Sequence, residues 1–185
     1  MAKNKHLEHV EDLILLEGTS GATKAIQVLR DVGKALTPSG GAGITITTKW
    51  DGAPAVVCGI DPSDGKFFVG SKSVFNTQNP KVAKSLSDVQ RMYDGGLAAK
   101  LNDCYRYLKP VVTEGVLQGD LLFTNDKSNK QIDGKNMVTF RANTITYAAE
   151  TDSDIGREIS SANLGIVFHT RYEGDTLQTM SASFG

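Results

Sequence analysis

An α+β fold of mostly antiparallel sheets flanked by helices, preceded by a helical N-terminal unit, is what this 185-residue sequence predicts. Two observations carry that expectation. Apolar residues recur at helical spacing only in the first forty residues and again over 80–109. From Ile44 onward the remaining segments are short β-branched or alternating runs punctuated by Gly, Pro, Asn and Asp. No repeat or low-complexity stretch interrupts them, and the length suits one well-cored domain.

Taken in order, Leu7, Val10, Leu13, Ile14 and Leu16 form the apolar stripe of a first helix, which Gly18 ends. Thr19 or Ser20 can cap a second, with Ala22, Ala25, Ile26, Leu29 and Leu36 as its apolar face, running up to the loop "TPSGGAG". Strands follow around Lys49 and Val56, and "DPSDG" turns the chain into "KFFVGSKSVF". Residues 80–109 return to helix, with Val89, Met92, Leu97, Leu101 and Leu108 facing the core. "VVTEGVLQGDLLF", "MVTF", "NTITYAAE" and "LGIVFHTRY" read as strands, the last preceded by the short helix "DSDIGREISSA". The expected organisation is a helical segment, 1–40, packed on a body spanning 41–185.

Twenty basic residues against 21 acidic ones leave a net charge of −1, so any nucleic-acid or membrane attraction has to be local. Cys58 and Cys104 form no C-x-x-C and read as reduced core thiols of a cytoplasmic protein. The apolar run near the N-terminus is too short and too acidic for a signal peptide or a membrane span. "GTSGATKA" lacks the spacing of a phosphate loop and reads as a helix cap. His6 and His9 have no evident third ligand, and Lys81 and Lys84 form a small basic stretch that reads as a solvated helix face.

In "ITITTKWDGAPAVV" the alternation puts Ile44, Ile46 and Trp50 on one face and Thr45, Thr47, Lys49 and, if the strand continues, Asp51 on the other. Lys49 therefore falls on the polar face of a sheet. Gly52 behind it permits close backbone approach or an unusual dihedral, and Pro54 constrains the exit.

Lys49-Trp50-Asp51-Gly52 resembles the K-x-D-G signature of the covalent nucleotidyltransferases: ATP-dependent DNA and RNA ligases and mRNA capping enzymes. Later segments fall in that family's order. "GSKSVFN" resembles the ribose-holding segment, "QGDLLF" is similar to the G-E-L motif, and "LGIVFH" to E-G-[IV]-V-x-K. Over residues 44 to 171 the combination looks most like ligase-like proteins of tailed bacteriophages. The resemblance implies a ligase-type adenylation domain using ATP and Mg²⁺, with nicked or broken DNA or RNA ends as partners and no membrane.

It also implies roles. Lys49 would be the nucleophile that takes AMP from ATP as a phosphoramidate. A free lysine pKa of about 10.4 makes it a poor nucleophile at neutral pH, so its charge has to be disfavoured by burial or nearby cations. Asp51 and Gly52 would shape its loop together with Trp50, and Thr48 would meet the adenine through its backbone. Lys72 stands where the family has a ribose-contacting arginine. Asp120 replaces the glutamate of the G-E-L motif and would reach the ribose or the metal, Phe123 or Phe140 would stack on the base or else pack in the core, and His169 takes the place of a basic residue.

Two departures qualify the resemblance: Leu164 stands where the third motif has its glutamate, and no final K-x-K is recognisable before Gly185. The expectation is accordingly a ligase-like nucleotidyltransferase, DNA slightly favoured over RNA, with a noncatalytic nucleotide- or nucleic-acid-binding relative as the alternative.

Overall fold

A computed structural model describes residues 9–37 and 50–183. The chain divides into two compact units, Met1–Lys49 and Trp50–Gly185, each taken here by itself.

In the first unit a single helical run, α1 (Asp12–Ala35), is broken at Gly18, whose φ of 60° and ψ of −131° suit only glycine. The chain doubles back there. A Cβ on Gly21 would lie 1.7 Å from the Leu13 carbonyl oxygen, so a second glycine lets the two backbones touch. The expected break is thus present, while the expected apolar face is not buried: Ala25 is covered, but Ile26, Leu29 and Leu36 are exposed, as are Ile14 and Leu16. Leu7 lies outside the described residues.

The second unit carries the main core. Its strands are β1 (Ala55–Ile60), β2 (Phe67–Gly70), β3 (Val116–Phe123), β4 (Ser128–Ile132), β5 (Lys135–Arg141), β6 (Thr146–Glu150), β7 (Gly165–Glu173) and β8 (Ser181–Ser183). They form an antiparallel five-stranded sheet in the order β2-β1-β3-β7-β8 and an antiparallel three-stranded sheet, β4-β5-β6. The helices are α2 (Leu86–Met92), α3 (Gly95–Leu108) and α4 (Asp154–Ser161). With α1 these make four helices among the described residues, an α+β architecture.

Period-two alternation decides which side of the large sheet each residue serves. Val56, Cys58, Phe67, Val69 and Leu121 face α2 and α3, where they meet Val89, Leu101, Cys104 and Leu108. Both cysteines are fully buried in that layer, as the sequence predicts. Val57, Phe68, Val116 and Tyr172 point the other way and pack on Val74 and Leu177. A third cluster, Leu122, Phe123, Phe140 and Ala142, joins the two sheets. Two local readings change. "GSKSVF" is a 3-10 turn, Lys72–Phe75, because the Ser71 hydroxyl accepts the Ser73 N–H and caps it. The 80–109 helix is two helices, since Tyr93 is extended and Gly95 has φ 57°. β4 and β8 carry no apolar alternation. No described helix is long and apolar enough to cross a membrane.

Candidate functional site

The segment between the two units' boundary and β1 is fastened to both sheets. Trp50–Pro54 belongs to no strand, and the Ala53–Pro54 peptide is cis. The Asp51 N–H donates to the Tyr147 hydroxyl (3.2 Å), and its carboxylate accepts from Asn143 Nδ2 (3.1 Å) and Thr144 Oγ1 (3.0 Å). The Ala53 N–H donates to the Ala142 carbonyl at the end of β5, and the Pro54 carbonyl accepts from the Leu121 N–H of β3. Gly52 lies flat on β3. A Cβ there would come within 2.7 Å of the Leu121 carbonyl oxygen and 2.8 Å of the Asp120 Cβ. Close approach, rather than a left-handed dihedral, is what this glycine supplies. Lys49 and Thr48 lie outside the described residues.

Asp120 and His169 meet because β7 carries an irregularity. Gln118 pairs with Thr170 and Gly119 with Phe168, which leaves His169 as the extra residue of a bulge. Its Nε2 stands 3.6 Å from Asp120 Oδ1, and its Nδ1 lies 2.8 Å from Thr170 Oγ1. Both side chains keep access to solvent, 33% for His169 and 27% for Asp120. Deeper on the same face the Tyr172 hydroxyl donates to Gln118 Oε1 (2.7 Å), and burial raises the tyrosine's pKa. Among the described residues no three His, Cys, Asp or Glu side chains converge on one point. A single carboxylate fits Mg²⁺, which is held by one or two carboxylates together with substrate phosphates, and does not fit an all-protein cage. Lys72 is the exposed first residue of the 3-10 turn, which Tyr93 ties through its hydroxyl to Ser71 and Ser73.

A cavity of about 580 Å³ opens beside Trp50, floored by Phe123 and Phe140 and walled by Leu164, Ile166 and Ile159. The aromatic rings run in series: Phe123 to Phe140 at 4.8 Å, Phe140 stacked on Tyr147 at 5.3 Å, Tyr147 to Trp50 at 5.3 Å. Phe123 and Phe140 are core residues, and both also line the cavity. Leu164 presents hydrocarbon where the resembled family has a carboxylate.

The structure therefore brings Gly52, Asp120 and His169 together, and gathers Trp50, Phe123 and Phe140 round the cavity. It gives Lys84 a different role: its ammonium pairs with Asp61 (2.7 Å) and Asp64 (2.9 Å). Lys81 sits over the Tyr93 ring, and His9 lies beside Glu11. Asn143, Thr144 and Tyr147 escaped the sequence reading. "NTITYAAE" is expected as a strand from its first residue, whereas Asn143 and Thr144 form the turn before β6, and nothing in the segment points to a partner 92 residues away.

Residues 4–185 match the model of a family described only as one of unknown function, DUF6267. No curated protein and no solved structure matches the chain.

Proposed function

The chain belongs to DUF6267, a family of unknown function, and from its site we propose that it is an ATP-dependent, ligase-like nucleotidyltransferase with Lys49 as AMP acceptor. The observation that carries this reading is the meeting of three distant segments: Gly52 of K-W-D-G lies against Asp120 of "QGDLLF", and His169 of "LGIVFHT" faces the same carboxylate. These are the segments that resemble the nucleotidyltransferase motifs, and the finer fold assignment, a ligase-type adenylation domain, rests on the same meeting.

In this reading the neutral Lys49 amine attacks the α-phosphorus of ATP. A P–N bond forms, the bond to the bridging oxygen breaks, pyrophosphate leaves with the electron pair, and the amine's proton passes to solvent. Asp120 would hold Mg²⁺, which supplies charge neutralisation for the phosphates. His169, beside Asp120, would take the part of the basic residue in the resembled motif. Phe123 and Phe140, expected to stack on the base, line a cavity to which Gly52, Asp120 and His169 contribute nothing, so the reading rests on the phosphate side of the nucleotide and assigns the base no pocket. Transfer of AMP to a 5′-phosphate end, and its displacement by a 3′-hydroxyl, would complete the joining of DNA or RNA.

Leu164 favours a second reading, a relative that binds nucleotide without reacting, because a hydrocarbon side chain on the cavity wall cannot replace a carboxylate. Intact mass after incubation with ATP and Mg²⁺ separates the two. One added AMP, lost in Lys49→Ala and preferring ATP over GTP in competition, supports catalysis. Saturable nucleotide binding without an adduct supports the second reading, and neither result removes both.

A further inference from the structure

Asp120 and His169 face each other without a hydrogen bond. Nε2 of the ring stands 3.6 Å from Asp120 Oδ1, beyond the roughly 2.7–3.2 Å of an N–H···O contact, and no hydrogen bond from a described residue reaches that carboxylate. The other ring nitrogen is engaged: Nδ1 lies 2.8 Å from the hydroxyl oxygen of Thr170, a residue only 7% exposed. Gly119 allows the bulge that turns the ring, since a Cβ there would meet the Val167 carbonyl oxygen at 2.5 Å. A carboxylate oxygen and a ring nitrogen are thus held at a set separation, on side chains that both reach solvent.

We propose that this pair is a seat for a four-coordinate divalent transition ion, Zn²⁺ or Co²⁺, in preference to Mg²⁺, with Asp120 Oδ1 and His169 Nε2 as its two protein ligands. The separation carries the choice. Two atoms bound at about 2.0–2.2 Å from one ion at a tetrahedral angle stand about 3.3–3.6 Å apart, whereas neighbouring ligands of octahedral Mg²⁺, at about 2.0–2.1 Å, stand about 2.8–3.0 Å apart. Ligand chemistry agrees, because imidazole suits Zn²⁺ and its neighbours while Mg²⁺ takes oxygen. Thr170 is the positioning residue: by accepting the Nδ1 proton it leaves the Nε2 lone pair aimed at the ion, as the outer partner of a metal-bound histidine does. Two positions stay open for water or phosphate oxygens, and the ion brings the positive charge that a basic residue at 169 would carry. That last role rests on the proposed function; the seat itself does not.

The test uses the protein without nucleotide. The chain has three histidines, His6, His9 and His169, so the His169 ring signals are followed by NMR in a His6→Gln, His9→Gln background while Co²⁺ is added against a large excess of Mg²⁺. The expected result is a saturable paramagnetic displacement of those signals that Mg²⁺ does not reverse and Asp120→Asn abolishes, and that needs about tenfold more Co²⁺ in Thr170→Val; circular dichroism confirms that each variant is folded. Calorimetry with Zn²⁺ alone is expected to find one site in the same background and none in His169→Gln, which decides the matter should Asp120→Asn not fold. Ring signals that Co²⁺ leaves in place show a plain ion pair and overturn the seat, as do equal displacement in Asp120→Asn and reversal by Mg²⁺. An unchanged Co²⁺ requirement in Thr170→Val overturns the part given to Thr170. Adduct formation enters none of these readouts, so a failure of the proposed reaction is seen separately, as the absence of added AMP.

Discussion

At the scale of single residues, the contact between Gly52 and β3 allows no side chain. Gly52→Ala forces a methyl against the Leu121 carbonyl and the Asp120 Cβ, and overpacking of backbone costs about 1–3 kcal/mol; urea denaturation is expected to show that loss. Asp61 is a second such point. Burial alone would raise its pKa, but hydrogen bonds from Lys84 and Ser63 outweigh it and hold the carboxyl below its ordinary 3.8. A depressed carboxylate stabilises the fold above that value and stops doing so as pH falls through its folded pKa. Lys84→Met is accordingly expected to be less stable than wild type at pH 7, and the gap to close as the pH drops below about 4, where a protonated Asp61 no longer needs a cation. Burial pushes the thiols of Cys58 and Cys104 up to about 12. With so little thiolate at neutral pH, alkylation of either is expected only at the rate at which the core opens, which a comparison of iodoacetamide labelling with unfolding kinetics would check.

At the scale of elements, α4 is held at its C-terminal end by one side chain. Lys127 Nζ donates to the carbonyls of Ile159, Ser160 and Ala162, and lies 5.1 Å over the Phe123 ring. Lys127→Met removes that cationic cap, a loss of about 1–2 kcal/mol. Because Ile155, Glu158 and Ile159 wall the cavity, the variant is expected to loosen that wall as well as melt earlier, measured by binding of an apolar fluorescent dye and by thermal unfolding. The elements also show where sequence patterns inform and where they fall silent. β1, β3, β5, β7 and the α2–α3 region were readable because burial imposes a period on Val, Leu and Phe. "SNKQI" of β4 is exposed along its whole length and is held by the ladder to β5 alone, so no apolar period marks it. The same limit applies to the site. Gly52 and Asp120 could be named from motif order, whereas the bulge that turns His169 toward Asp120 and the turn that holds Asp51 depend on pairings across the fold.

For the whole molecule, a net charge of −1 means that no long-range field draws the protein to a polyanion. Any grip on nicked DNA or RNA has to come from a local patch and to weaken steeply with salt. Sealing of a labelled nick is therefore expected to be feeble and confined to low ionic strength; robust multiple-turnover sealing at physiological salt would contradict this. The stretch from Asp51 to Pro54 has a consequence of another kind. Its bonds to Tyr147, Asn143, Thr144 and Ala142 on one sheet and to Leu121 on the other mean that neither sheet can come apart without releasing the other. The two sheets thus share a single opening event, and the amides of Ala53 and Leu121 should exchange with deuterium at one common rate, that of the entire second unit unfolding.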